Sequence, residues 1–170
     1  CFKNKMIKCA YKCSNLSEVM SDMCFENFSL DYYSKDGAED SEYENMKFIL
    51  ERAKSFCDNF PNKRNLFMCG NTGLGKTFLS VSIAKKILQK EKSVMYFTAQ
   101  KLFSEYERYK FHDSENLEMF LDDVRNADLL IIDDLGTEKI TDNKITEIRI
   151  TTNKIIINIE VSWYLYSIIV

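Results

Sequence analysis

Glycine, proline and histidine are all scarce in this 170-residue chain, which has five glycines, one proline and one histidine. The histidine, His112, sits in the polar run His112-Asp113-Ser114-Glu115 and reads as a surface imidazole rather than a ligand or a catalytic base. Six cysteines, at positions 1, 9, 13, 24, 57 and 69, include no C-x-x-C pair, so their spacing encodes no zinc site. Cys57 and Cys69 fall within apolar patterns and read as small core residues. No apolar run approaches the ~20 residues of a membrane helix. The longest, Trp163 to Val170, is far too short, so no membrane partner is expected. The opening Cys1-Phe2-Lys3-Asn4-Lys5 carries neither an initiator Met nor a secretory leader. The expectation is a cytoplasmic protein with reduced thiols, and a chain that belongs to a longer one. A basic excess is also lacking: the net charge is −3, which excludes the global footprint of a nucleic-acid binder. The charge is uneven, with Lys3, Lys5, Lys8 and Lys12 near the start and ten acids against Lys35 and Lys47 from Ser14 to Glu51. Both runs read as solvated surface.

The scarce glycines are concentrated. Gly70, Gly73 and Gly75 lie within six residues, and Gly136 follows a pair of aspartates. With 45% hydrophobic and 29% charged residues, the chain is one ordinary domain able to bury a core. Met46, Ile49, Leu50, Ala53, Phe56 and Cys57 recur at helical spacing and predict a helix from Glu44 to Asp58. Pro61 marks the loop after it. Asn65 to Cys69, ending at Gly70, predicts a buried strand, and Lys76 to Gln89 an amphipathic helix. Ser93 to Thr98 is a second strand. Leu102, Phe103 and Tyr106 mark another helix, and Leu117, Phe120, Leu121 and Val124 one more. Leu129 to Ile132 is a third strand, stopped by Asp133-Asp134. Apolar strands alternating with helices predict an α/β fold, a parallel sheet with helices on both faces. From Thr141 to Val170 the pattern changes to nine isoleucines with no glycine or proline, a β-prone tail.

Gly70-Asn71-Thr72-Gly73-Leu74-Gly75-Lys76-Thr77 matches G-x-x-x-x-G-K-[ST], the phosphate-binding loop or Walker A motif. The glycines let successive backbone N–H groups turn inward as an anion nest. The nest opens onto a helix N-terminus whose partial charge favours phosphate. Lys76 can reach β- and γ-phosphate oxygens, and the Thr77 hydroxyl can take a Mg²⁺ coordination position. A strand before the motif and a helix after it are both expected here. The apolar strand ending in Asp133-Asp134 reads as a Walker B element, with Asp133 on Mg²⁺ and Asp134 set to orient or deprotonate the attacking water.

Residues 14–143 resemble the DnaC/DnaI-like and IstB-like AAA+ ATPases, bacterial helicase loaders and transposition helpers. The resemblance rests on GNTGLGKTFLSVSIAKKIL (70–88), SVMYFTAQKLF (93–103) and LLIIDDLGTE (129–138). It extends upstream to SNLSEVMSDMCFENFSLDYYS (14–34) and ENMKFILERAKSF (44–56). It implies a P-loop NTPase (AAA+-like) fold, incomplete in its C-terminal part, with Gly70 to Phe78 around the nucleotide. Lys76 and Asp134 would serve hydrolysis, and Thr77 and Asp133 would hold Mg²⁺. The cofactors implied are ATP and Mg²⁺. The partners implied are a replicative helicase, single-stranded DNA and, in the full-length family, further copies of the chain. The expected division is an N-terminal linker and helical segment over 1–43, the ATP-binding core over 44–140, and an isoleucine-rich tail over 141–170.

Departures from the family pattern also matter. Relatives carry an upstream cysteine cluster of which Cys1 resembles the last member, whereas Cys9 and Cys13 do not fit it. The expected sensor strand, arginine finger and helical lid are not recognisable. Ile150-Thr151-Thr152-Asn153 imitates the sensor strand, yet only about a dozen residues separate it from Thr137, near the lower limit for a parallel crossover. A frameshift near Asn143, leaving a chain truncated at both ends, is the preferred explanation. The family's sensor strand lies between the phosphate-loop and Walker B strands, and the tail over Lys154 to Val161 is a candidate for that slot. Weak or absent ATP turnover is expected. A transposition helper or a non-functional remnant are the alternatives, and five scattered arginines (52, 64, 108, 125, 149) argue against a small-molecule kinase. Lys85, Lys86, Lys90 and Lys92 read as a solvated basic helix end.

Overall fold

The computed structural model describes residues 22–35, 41–61, 65–135, 155–160 and 167–169. Among them are four α-helices, α1 (Glu42–Asp58), α2 (Lys76–Gln89), α3 (Ala99–His112) and α4 (Leu117–Asn126). The strands are β1 (Leu66–Gly70), β2 (Val94–Thr98), β3 (Leu129–Leu135), β4 (Ile155–Glu160) and β5 (Ser167–Ile169). They form one sheet in the order β2-β3-β4-β1-β5. β2, β3, β4 and β1 run parallel, and β5 closes the β1 edge antiparallel. Such an antiparallel edge on a parallel sheet is common.

The period of two along each strand sorts the core into two layers. Val94, Tyr96, Leu129 and Ile131 join α1 and α2 in one buried cluster. Phe97, Leu130 and Ile132 face the other way and pack with Leu102 of α3 and Val124 of α4. Leu79, Ile83 and Ile87 of α2 are at most 1% exposed. Truncating any one of them to Ala costs about 2–5 kcal/mol.

The register of β2 on β3 is pinned at their amino ends. Asp128 accepts from the Ser93 backbone N–H at 2.9 Å and the Ser93 hydroxyl at 3.0 Å, and its own N–H donates to Ser93 Oγ at 2.8 Å. Burial alone would raise the Asp128 pKa; the Ser93 donors and Lys92 outweigh it and hold the carboxyl below its usual value. This staple sets Val94 opposite Leu129 and Thr98 opposite Asp133.

Three expectations change. β3 does not stop at Asp133 but runs to Leu135, with a register shift against β4 between Ile132 and Leu135. A bulge of this kind lets a strand continue while re-aiming its residues. α1 begins two residues earlier than its apolar period suggests, because Ser41 caps it by accepting from the Glu44 N–H at 3.3 Å. The lysines after the phosphate loop are not simply solvated. Lys85 is buried, Lys90 Nζ donates to the carbonyls of Cys57 (2.5 Å) and Asp58 (3.3 Å), and Lys92 pairs with Asp128. Lys90 thus adds a donor to the last carbonyls of α1, of which Cys57 also accepts from the Phe60 N–H at 3.2 Å.

The slot between β1 and β3 is filled by the tail. β4 pairs Leu66 to Gly70 with Ile156 to Glu160 on one side, and Leu130 to Ile132 with Ile155 to Ile157 on the other. Asn153, the imitated sensor residue, lies outside the described residues, as do Cys1, Cys9, Cys13 and Gly136.

Candidate functional site

The site lies at the carboxyl edge of the parallel strands, where β1 ends in Gly70 and the chain turns into α2. Three glycines take backbone conformations that other residues avoid: Gly70 (φ 150°), Gly73 (φ 82°) and Gly75 (φ 83°). Gly75 occupies the cap position of α2 in the left-handed region, so no side chain blocks the helix N-terminus. A Cβ there would also sit 3.1 Å from Phe28 Cε2 and from Tyr33 Oη. Space around Gly73 is open, with nothing within 4 Å of a Cβ built on it.

Lys76 folds back over this loop, donating to the carbonyls of Gly70 at 2.8 Å and Asn71 at 2.9 Å. Thr77, one residue on, donates its hydroxyl to Asp133 Oδ2 at 2.8 Å. Residues 56 positions apart are thereby brought together. The parity of the strands explains the meeting. Asp133 shares the face of Leu129 and Ile131, the face on which α2 packs.

Asp133 is 2% exposed. Besides Thr77, its Oδ2 accepts from the Tyr96 hydroxyl, and its Oδ1 from the Asp134 backbone N–H at 3.1 Å. Burial, and then the adjacent Asp133 carboxylate, push the Tyr96 phenol far above its ordinary range, so it remains a proton donor. Asp134 itself takes a left-handed backbone (φ 55°), rare for a residue other than glycine though more often tolerated by Asp and Asn. It stands where β3 departs from its register with β4.

A carboxylate buried beside a hydroxyl at the mouth of a glycine-rich anion nest suits Mg²⁺. That ion takes one or two protein oxygens and otherwise keeps water and phosphate ligands. Among the described residues, no three His, Cys, Asp or Glu side chains gather into a cluster of the kind a metal without phosphate would need.

Sequence reasoning placed Phe78 at the nucleotide but missed the rest of the aromatic wall. A cavity of about 300 Å³ adjoins the loop, with Asn27, Phe28 and Tyr33 on one side and Gly73, Leu74, Gly75 and Phe78 on the other. Phe28 meets Phe78 edge-on with centroids 5.4 Å apart and stacks on Tyr33 at 6.1 Å. Tyr33 donates to the Leu74 carbonyl at 3.3 Å, tying the upstream segment to the loop. The run Phe25-Glu26-Asn27-Phe28 held the signal as a cluster of aromatics before α1, but nothing local says where it folds. Tyr96 was missed as well, since a tyrosine inside an apolar strand reads as core until its distant partner is known.

The family described as IstB-like ATP binding protein matches residues 10–153. The replicative helicase loader DnaC of Escherichia coli (strain K12) is 28% identical over 120 residues, which is 66% of this chain and 49% of that protein. The chain thus spans about half the length of the curated relatives it matches. Among solved structures, the DnaC helicase loader superposes with a TM-score of 0.61 at 24% identity, covering 82% of this chain and 80% of that one. The replication initiator DnaA bound to AMPPCP and single-stranded DNA gives 0.59 at 22% identity, covering 82% and 42%. These likenesses establish the fold as an AAA+ P-loop domain.

Proposed function

This chain belongs to the IstB-like ATP-binding protein family, and from that premise we propose that it is the Mg-ATP-binding domain of a DnaC-like replicative helicase loader. The observation that carries the reading is the Thr77 hydroxyl on the buried Asp133 carboxylate at 2.8 Å, directly after the phosphate loop. The loop N–H groups and the N-terminus of α2 would hold the phosphates. Lys76 would exchange its carbonyl partners Gly70 and Asn71 for phosphate oxygens. Thr77 and Asp133 would hold Mg²⁺, which when bound neutralises charge on the β- and γ-phosphates. Asp134 would orient the attacking water and take its proton. The cavity walled by Phe28, Tyr33 and Phe78 has the size and aromatic lining to receive the base.

Nucleotide would then act as a switch, because a ligand shifts an equilibrium only by its differential affinity for two states. Single-stranded DNA would meet the end of α3. There Arg108 lies 4.1 Å from the Tyr109 ring centroid, and Lys110 lies 5.8 Å from the ring of Phe111, which is 70% exposed. A cation beside the exposed Phe111 ring suits a stacked base and its phosphate. A transposition helper, the other group that the sequence resembles, would use the same ATP site and is the second reading.

Mg-ATP and Mg-ADP binding should saturate in the purified chain and fall at least tenfold in Lys76→Ala. A folded wild-type chain without saturable binding would sink the proposal. Co-purification with a hexameric replicative helicase would support the loader, and capture by a transposase instead would favour the second reading.

A further inference from the structure

Tyr96 sits in the middle of β2, 4% exposed, with Val94, Leu129 and Ile131 in the same apolar cluster. A phenylalanine would fill the same volume with no hydroxyl to satisfy, and a buried hydroxyl is costly unless it finds a partner. Here the hydroxyl reaches past the apolar layer and donates to Asp133. Three donors therefore fix the plane of that carboxylate, and each comes from a different piece of chain: Thr77 at the start of α2, the Asp134 N–H in β3, and Tyr96 in β2. The first two belong to the motifs that the proposed function already uses. Tyr96 belongs to neither.

We infer that Tyr96 is a positioning residue for the divalent cation, orienting Asp133 for Mg²⁺ through its phenol; this rests on the Mg-ATP reading above. The physical reason is preorganisation. A carboxylate at 2% exposure has lost its water shell, so its charge and its rotamer depend on the protein's own donors. Two hydroxyls, from Thr77 and Tyr96, converge on Oδ2, and the backbone N–H of Asp134 donates to Oδ1. Removing the phenol leaves the Thr77 and Asp134 donors in place but loosens the hold on the Asp133 side-chain torsion. Partners that orient a metal ligand in this way are typically worth 10–100-fold in metal affinity. The register staple between Ser93 and Asp128 makes the contact reproducible, since a one-residue slip of β2 would turn Tyr96 to the opposite face.

The test is nucleotide binding followed by a fluorescent ADP analogue while free Mg²⁺ is titrated, in the wild-type chain, Tyr96→Phe, Asp133→Asn and the double variant. Tyr96→Phe should raise the Mg²⁺ concentration needed for half-maximal tightening about tenfold, with ADP affinity in EDTA unchanged. In the Asp133→Asn background the same change should add nothing. A structural role alone would lower the unfolding midpoint and leave the Mg²⁺ dependence where it was, which would overturn the inference. So would an independent effect in the double variant. A second measurement spares the phenol. With 3-fluorotyrosine at position 96, the ¹⁹F signal should shift when Mg²⁺ is added to the ADP-bound chain, and an unmoved signal would count against the inference. A wild-type chain whose nucleotide binding ignores Mg²⁺ altogether would overturn both this inference and the reading beneath it. Normal Mg²⁺ dependence in both wild type and Tyr96→Phe would overturn the inference alone.

Discussion

At the scale of single residues, Asp134 combines a proposed chemical role with a strained backbone. Its φ of 55° places Cβ against the following carbonyl, which costs an ordinary residue about 1–2 kcal/mol, while Asp and Asn soften that cost with a short polar side chain. The position therefore separates charge from backbone. Asp134→Asn should unfold within about 0.5 kcal/mol of wild type and still bind nucleotide, yet lose ATP hydrolysis. Asp134→Val should lose about 1–2 kcal/mol as well, because a β-branched residue resists the left-handed region. Urea unfolding and single-turnover hydrolysis read the two effects independently, and undiminished hydrolysis by Asp134→Asn would remove the role assigned to its carboxylate. The residues of the loop and the two aspartates were visible in the sequence because the chemistry demands fixed types at fixed spacing. Tyr96, Phe28 and Tyr33 were not, because their partners lie 37, 47 and 41 or more positions away (Asp133, Gly75 and Leu74) and no local pattern encodes that distance.

At the scale of elements, the end of α2 shows a local rule met with the wrong residue. Glu91 N donates to the Leu88 carbonyl at 3.0 Å and Lys92 N to the Ile87 carbonyl at 3.4 Å, the paired closure that normally uses glycine at its left-handed position. Here that position is Glu91, with φ 62°. Glu91→Gly should relieve about 1–2 kcal/mol of backbone cost. It should forfeit about 0.4–1 kcal/mol through the freer unfolded chain, for a net gain near 0.5–1 kcal/mol in urea unfolding. No gain would mean that the Glu91 side chain has interactions worth as much as its strain. Most elements could be read from periodicity, and α2 matches its expected limits. Where limits moved, a specific contact moved them. Ser41 extends α1 backward, and the register shift against β4 lets β3 run past Asp133, a neighbour the alternating pattern did not specify.

At the scale of the molecule, the sheet depends on its tail. β4 is the strand that joins β1 to β3, and without it both would present unpaired backbone groups in the middle of the sheet. Amides of residues 155–160 should therefore exchange with solvent slowly, at rates comparable with β1. A variant ending at residue 154 should lose its cooperative transition and aggregate. Rapid exchange throughout 155–160 in a folded chain would refute this assembly.

The division between the two sources of information follows from the range of the forces involved. Local composition determined the helices, the apolar strands, the anion-binding turn and the carboxylates after β3, because backbone geometry and phosphate chemistry act over a few neighbouring residues. The isoleucine run also carried enough β-propensity to make a strand of the tail. Only the tertiary structure decided which aromatics wall the cavity and which phenol holds Asp133. It also decided that Lys90 closes the end of α1. Those contacts arise from strand order, register and side-chain parity, and these exist only once the sheet has assembled.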